Sequence, residues 1–299
     1  MSGLSLDSRV AVISGAGKGL GRSFALQLAR LGAKVVVNNR NRIVDDSGRG
    51  PADHVVAEIV AGGGEAVADH HDAADTRSGE AMVQLALERW GRLDICVANA
   101  GVGHGGIFHK ESDAEFESVL AINLFGAARL TRAATRVMRE AGYGRIVLVS
   151  STGGLHGDVG LSAYAASKGA MLALGRSLAA EGERRGVLTN LLLPYAATQM
   201  TESDMAEEYV RATPPDAVTP VLTALVDEHC TLNGELIVTG GGLLRSASMV
   251  EWGTVRLPSG DQLSPDELAT LLAQSKKGQP KEFAVSIDSF FDLMESGAE

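Results

Sequence analysis

Short runs of Val, Ile, Leu and Ala alternate along this chain with longer stretches in which apolar residues recur at every third or fourth position. The runs at Arg9–Ser14, Ala33–Asn38, Glu65–Asp69, Leu93–Ala98, Arg145–Ser150, Val187–Leu193 and Glu235–Thr239 predict strands. Phe24–Leu31 and Met82–Trp90, lying between them, carry helical spacing. Strands that are apolar at nearly every position are buried on both faces, which calls for a parallel sheet between two helical layers. Right-handed crossovers then give a doubly wound α/β fold with its ligand site at the carboxyl ends of the strands. That domain is expected to occupy residues 1–249, and a helical tail residues 250–299.

The tail has its own punctuation. Ser264-Pro265-Asp266-Glu267 has the form of a capping box with proline at the first helical position, and Lys276-Lys277-Gly278 of a helix stop. A second apolar stretch, Ser286–Met294, contains Phe290 and Phe291. Two small helices are expected, with their apolar faces covered by the chain itself or by a neighbouring subunit.

Composition narrows the functional classes. The chain has 299 residues, 27 Lys and Arg against 37 Asp and Glu, and a formal charge of −10. An acidic chain lacks a general electrostatic grip on nucleic acid or anionic lipid, so neither is an expected partner. No stretch approaches ~18 uninterrupted apolar residues, so no membrane span is expected, and the N-terminus lacks the pattern of a signal peptide. The two cysteines, Cys96 and Cys230, make neither a disulfide framework nor a zinc knuckle, which suggests a reducing, cytoplasmic setting. The run Asp69-His70-His71-Asp72 has no partner ligands at matching spacing, so no metal is expected.

Glycine is abundant, at 36 residues, and its most informative cluster follows the first strand. There Ser14-Gly-Ala-Gly-Lys-Gly-Leu-Gly21 runs into a helix. Gly15, Gly19 and Gly21 permit a tight turn and let the backbone approach a pyrophosphate at the helix N-terminus, where free N–H groups and the helix dipole favour an anion. A Rossmann-type sheet is the expected frame for such a loop.

The Gly-x-x-x-Gly-x-Gly spacing resembles the short-chain dehydrogenase/reductase family, and further matches follow in that family's order. They are Asp72 after the third strand, Asn99-Ala100-Gly101 closing the fourth, Asn123 on the next long helix, Ser151 ending the fifth strand, and Tyr164-Ala-Ala-Ser-Lys168 thirteen residues later. Within the family the chain is most similar to the dehydrogenase domain of peroxisomal multifunctional β-oxidation enzymes. The shared features are Gly15–Arg22, the insertion at residues 40–52, and Pro194–Thr201. The resemblance implies a catalytic set of Asn123, Ser151, Tyr164 and Lys168. It also implies a nucleotide site built from Gly15, Lys18, Gly19, Leu20, Gly21, Asn39, Arg40, Asp72, Ala73, Asn99, Ala100, Gly101, Tyr164, Lys168, Pro194 and Ala197. Asp72 would meet the adenine, Lys168 the nicotinamide ribose, and Asn123 a water in a proton relay.

The residues themselves give the chemistry. Four residues apart, Tyr164 and Lys168 share one helix face. A phenol has pKa ~10, and a neighbouring ammonium together with the positive charge of an oxidised nicotinamide is expected to lower it until the phenol serves as base or acid for an alcohol/ketone pair. Ser151 can hydrogen-bond the same substrate oxygen, whereas Ser150 is expected only to end the strand.

Cofactor choice turns on the end of the second strand. An acidic residue there pairs with ribose hydroxyls and repels a 2′-phosphate, but this chain reads Val37-Asn38-Asn39-Arg40. Arg40 and Lys18 favour NADP. Asn39 still suits NAD, and Asp45 or Asp46 can neutralise Arg40. Tyr195 replaces the usual glycine after Pro194 and is expected to narrow the nicotinamide end. Thr198–Pro215, with Met200, Met205 and Tyr209, reads either as a lid or as a packed surface helix. Leu155, His156 and Val159 are further candidates for lining the substrate site.

The expected activity is hydride transfer between NAD or NADP and a secondary alcohol or ketone, such as a 3-hydroxyacyl-CoA or a steroid-like compound. A broad NADPH-dependent carbonyl reductase and a nicotinamide-binding sensor without turnover are the alternatives. The resemblance also implies a homodimer or homotetramer.

Overall fold

The computed structural model describes residues 5–40, 42–104, 106–202, 205–258 and 262–296. Its contacts divide the chain into two compact units, Met1–Ser246 and Ala247–Glu299.

The first unit is built on one sheet. Its strands are β1 (Val10–Ile13), β2 (Lys34–Asn38), β3 (Ala66–Asp69), β4 (Ile95–Ala98), β5 (Gly144–Val149), β6 (Val187–Pro194), β7 (Leu236–Gly240) and β8 (Leu243–Ala247). They lie in the order β3-β2-β1-β4-β5-β6-β7-β8, and every pairing from β3 across to β7 is parallel. The first seven strands match the apolar runs read from the sequence to within a residue or two, because those strands are buried and leave an uninterrupted trace.

β8 was not expected. Gly241 and Gly242 take φ values of +57° and +77°, the pair of left-handed residues that makes a tight hairpin turn. A two-residue link joins only antiparallel neighbours, so β8 doubles back along β7. Four of its residues are exposed, which is why it leaves no apolar run.

The connecting helices form two layers. One contains α1 (Gly19–Arg30), α2 (Pro51–Ala61) and, late in the chain, α9 (Thr219–Val226); α1 packs on both of the others. In the other layer α3 (Ser78–Trp90) packs on α5 (Ala127–Ala141), and α5 on α7 (Ser162–Gly182). Shorter helices are α4 (Asp113–Leu120), α6 (Gly153–His156) and α8 (Glu207–Ala212). Phe24 and Leu28 on α1 are fully buried in one cluster with Ile13, Val35, Val37 and Leu222. Side chains of that size contribute about 1.5–3 kcal/mol each on burial.

Asp94, also buried, closes the amino ends of β1 and β4. It accepts the Val10 N–H at 2.9 Å, both Arg92 donors at 2.6 and 2.8 Å, and Arg9 at 3.1 Å. The opposite, carboxyl edge of the sheet is left for chemistry.

In the second unit the capping box forms as written in the sequence. Ser264 Oγ accepts the Glu267 N–H at 3.3 Å, and the Glu267 carboxylate accepts the Ser264 N–H at 2.9 Å, opening α10 (Pro265–Ser275). α11 (Ser286–Ser296) follows. Glu251 and Lys281 exchange backbone hydrogen bonds at 2.8 and 2.9 Å, and Ser275 Oγ donates to the Gly253 carbonyl at 2.6 Å. Neither helix contains a buried residue.

Candidate active site

The strand order reverses between β1 and β4, and a cleft opens there at the carboxyl ends, as expected for a doubly wound sheet. Its volume is about 620 Å³, and the glycine loop forms one wall. Ser14 and Asn99 stitch that loop to the end of β4. Ser14 Oγ accepts the N–H groups of Asn99 and Ala100, both at 3.0 Å, while Asn99 Nδ2 donates to the carbonyls of Ser14 (3.0 Å) and Gly15 (3.1 Å). Gly15 sits at φ +64°. A Cβ at Gly21 would stand 2.3 Å from the Gly15 carbonyl oxygen, so the loop closes only without a side chain there.

The sequence reading missed the brace behind this loop. Asn38 is buried at the end of β2; its Oδ1 accepts the Gly15 N–H at 3.3 Å, and its Nδ2 donates to Asp69 at 2.6 Å and to the His71 carbonyl at 3.0 Å. An amide closing the run Val35-Val36-Val37 was the available clue. His71 Nδ1 in turn lies 2.7 Å from Asp69 Oδ2, and His70 pairs with Asp53 at 3.2 Å.

At the end of the cleft next to β2 and β3, Asn39, Arg40, Asp72 and Ala73 line it together with Lys18, Leu20 and, among residues not foreseen, Arg42, Ile43 and His71. Arg40 does not turn to Asp45 or Asp46. It pairs with Asp72 at 3.0 Å, while Asp45 caps the turn at Ser47 and Arg49 and pairs with His54. Burial pushes the Asp72 carboxyl up, but the Ala74 N–H and the Arg40 and Arg42 guanidiniums outweigh it and hold it below the ordinary carboxylate range.

At the other end, Tyr164 and Lys168 rise from α7, one turn apart, beside Gly101. Lys168 is buried; its Nζ donates to the Val149 carbonyl at 2.8 Å and lies 5.7 Å from the centre of the Tyr164 ring. Burial pushes its pKa down from 10.5 to about 8. At Tyr164 the fall expected from the lysine does not occur. Burial raises its phenol above 10, the Ser151 hydroxyl pulls the other way, and burial prevails. Lys168 Nζ, 5.7 Å from the ring centre and turned to the Val149 carbonyl, does not offset that burial.

The two serines take different partners. Ser150 Oγ donates to the Lys168 carbonyl at 2.9 Å, whereas Ser151 Oγ accepts the Gly153 N–H at 3.1 Å and stands across Gly153 from the Tyr164 ring. Asn123 is fully buried in a π-helical turn, Ala121–Gly126, that joins α4 to α5. Such turns are frequent at functional sites. Its Nδ2 gives both protons away, to the Val102 carbonyl (2.9 Å) and Ser167 Oγ (3.0 Å), and its Oδ1 accepts the Val102 N–H (2.8 Å). Only the second lone pair of Oδ1 is left for a relay water.

Two expectations about the chain after β6 are corrected. Ala197 does not line the cleft; its N–H is committed to the Thr213 carbonyl at 2.7 Å, and Ala196, Thr198, Gln199, Met200 and Thr201 line it instead, with Pro194. Tyr195 does not narrow the nicotinamide end. It lies outside the lining, half exposed, with its hydroxyl 2.9 Å from Thr152 Oγ1. Neighbouring residues at the end of a strand point to opposite sides, and Tyr195 took the outer one. Of Met200, Met205 and Tyr209, Met200 alone lines the cleft. Leu155, His156 and Val159 do not, and Val159 is exposed. Cys96 is an inert core thiol, pushed up to about 12 by burial.

With this geometry in place, comparison with known proteins gives a consistent answer. The short chain dehydrogenase family model matches residues 9–209. A Mycobacterium tuberculosis protein described as a short-chain type dehydrogenase/reductase is 39% identical over 246 residues, covering 82% of this chain and 86% of that protein. Peroxisomal multifunctional enzyme type 2 of Mus musculus is 39% identical over 243 residues, or 81% of this chain, but the chain spans only 33% of that enzyme. Among solved structures, a protein from Beutenbergia cavernae described as an NAD(P)-dependent gluconate 5-dehydrogenase, with bound NADP at low occupancy, superposes with a TM-score of 0.72. It is 32% identical and covers 80% of this chain and 97% of its own.

The chain belongs to the short-chain dehydrogenase family. It is an NAD(P)-dependent oxidoreductase of the secondary alcohol/ketone type.

Proposed function

We propose that the protein passes hydride between NADP and an apolar secondary alcohol or ketone, with Tyr164 as proton donor and acceptor. One observation carries this reading: Tyr164 lines the glycine-loop cleft with Ser151 Oγ beside it across Gly153, and the Lys168 amine is buried behind it.

The residues fit a nicotinamide dinucleotide. The loop Gly15–Gly21 presents backbone rather than side chains at the N-terminus of α1, which suits a pyrophosphate. At Gly101 the nearest atoms to an added Cβ are Asn123 Oδ1 at 3.5 Å and Lys168 Nζ at 3.6 Å, so this glycine of the cleft wall lies directly against both polar groups. When bound, the nicotinamide supplies the hydride donor or acceptor and, when oxidised, a positive charge.

The chain's own residues do the rest. Tyr164 moves a proton between its phenol oxygen and the substrate oxygen. Ser151 donates to that same oxygen and stabilises charge on it, a role for which Ser150 is spent. Lys168, behind Tyr164, would hold the hydroxyls of the nicotinamide ribose. Asn123 braces Val102 and Ser167, and the free lone pair of its Oδ1 is the anchor for a relay water beside Lys168 Nζ.

Arg40, Lys18 and Arg42 along the adenosine end support NADP over NAD, since guanidinium and ammonium groups suit a phosphate dianion. A 3-hydroxyacyl-CoA or a steroid-like alcohol fits the reaction class. Both cysteines are free, which agrees with a reducing, cytoplasmic setting. Parallel thermal titrations with NADPH and NADH test the preference. NADPH is expected to raise the melting temperature more at matched concentration. A larger shift with NADH means that Asn39 serves the ribose directly, and no shift with either removes the cofactor from the reading.

The molecule works as a homodimer or homotetramer, and the second unit contributes to that assembly. Its helices α10 and α11 leave Leu268, Leu272, Phe290, Phe291 and Leu293 about half exposed, more apolar surface than two isolated helices leave open to water. Deleting residues 258–299 is expected to change the number of subunits per particle, read by sedimentation, or the solubility. An unchanged sedimentation profile and melting temperature would refute this.

A further inference from the structure

At the adenosine end of the cleft one carboxylate lies between two guanidinium groups. Asp72 Oδ2 is 3.0 Å from Arg40 Nη1 and 3.7 Å from Arg42 Nη2, and all three residues line the cleft. The other carboxylate oxygen, Oδ1, accepts the Ala74 N–H at 3.0 Å. Asp72 is therefore anchored to the turn that leads from β3 into α3, whereas Arg42 is largely exposed on the loop that follows β2. The anion is tied to the backbone, whereas its outer cation, Arg42, is open to solvent.

We propose that Asp72 sets the nucleotide preference by competing with a 2′-phosphate for Arg40 and Arg42. This rests on the reading that the cleft takes a nicotinamide dinucleotide. The two arginines are the phosphate seat, and the carboxylate is a resident rival that weakens it. With NAD bound, the arginines stay on Asp72 and the ribose hydroxyls are left to Asn39. With NADP bound, a group carrying nearly two negative charges and three acceptor oxygens draws the guanidiniums off a single-charged carboxylate, because the larger charge and the planar donor fork both favour phosphate. Discrimination between the two cofactors is then smaller than two unopposed arginines would give. The chain tolerates both, with the balance tipped toward the phosphorylated form.

Asn at position 72 keeps an acceptor for the Ala74 N–H and for an adenine amine but removes the charge, so it separates competition from hydrogen bonding. Calorimetric binding of 2′,5′-ADP and 5′-ADP to the full chain reads the effect without turnover. In Asp72→Asn the preference for 2′,5′-ADP is expected to rise roughly fivefold, the scale of one partly exposed ion pair. That rise should come from tighter binding of 2′,5′-ADP while 5′-ADP holds steady. In Arg42→Gln, an exposed position whose change leaves the fold intact, the same preference is expected to fall by a similar factor. A preference unchanged in Asp72→Asn, or equal weakening of both fragments, overturns the competition and leaves Asp72 as an adenine contact only. Failure of the wild-type chain to bind either fragment overturns the cofactor reading itself.

Discussion

Tyr164→Phe is expected to lower turnover by about 10²- to 10⁴-fold, the span that a positioned acid or base contributes, while nucleotide binding persists. The ring keeps its place on α7 and its packing, and only the phenol oxygen is lost. Because burial holds this phenol above its ordinary pKa of 10, alcohol oxidation should accelerate with rising pH, and ketone reduction, which needs the phenol protonated, should not. Steady-state rates in both directions with calorimetry of the nucleotide on the same samples check both parts. A variant with undiminished turnover would remove Tyr164 from the reaction. Loss of nucleotide binding in step with activity would make it a cofactor contact instead.

The second large effect joins activity to stability. Lys168→Met is expected to abolish most turnover and yet to unfold at higher denaturant concentration than the wild type at pH 7. The buried ammonium has its pKa pushed down from 10.5 to about 8, so the folded state gives up its proton well before the unfolded state does. Between pH 8 and 10.5 the unfolded chain binds more protons, and wild-type stability therefore climbs with pH across that window. Below pH 8 the full penalty applies. Its scale is about 3 kcal/mol, partly offset by the bond to Val149. The stability gap between variant and wild type should be widest at pH 7 and close towards pH 10. Denaturant melts at the two pH values decide it. A methionine variant that is less stable at pH 7 would mean that the bond to Val149 outweighs the burial of charge.

The parts that proved legible in the sequence share a cause. The seven parallel strands and the glycine loop are written in neighbouring residues, since burial on both faces demands continuous apolar runs and a tight turn demands glycine. The α10 capping box is equally local, from Ser264 to Glu267. What escaped depends on partners far along the chain. Asn38 gains its importance from Gly15 and Asp69, and Arg40 finds Asp72 rather than the nearer Asp45. The loop that brings Arg42 and Ile43 to the cleft has no period at all. Tyr195 and Ala197 were misplaced because family position says which residue follows Pro194 but not which way its side chain points or what its N–H meets. The direction of the Tyr164 pKa in the protein alone was not legible either, because spacing on a helix brings two groups near without saying how dry the space around them is.

The crowding within the glycine loop bears on how such a chain ages. A Cβ at Gly15 would stand 2.8 Å from the Ala100 Cα, one at Gly17 would stand 2.6 Å from the Pro51 side chain, and one at Gly21 would be closer still to its neighbour. The fold rejects side chains at these positions whether or not a nucleotide ever arrives. Lys168 is the opposite case, a buried charge expected to cost stability at neutral pH. A descendant released from catalysis would thus drift by losing the lysine and keeping the glycines. In such a lineage the glycines record ancestry, and the lysine records present use.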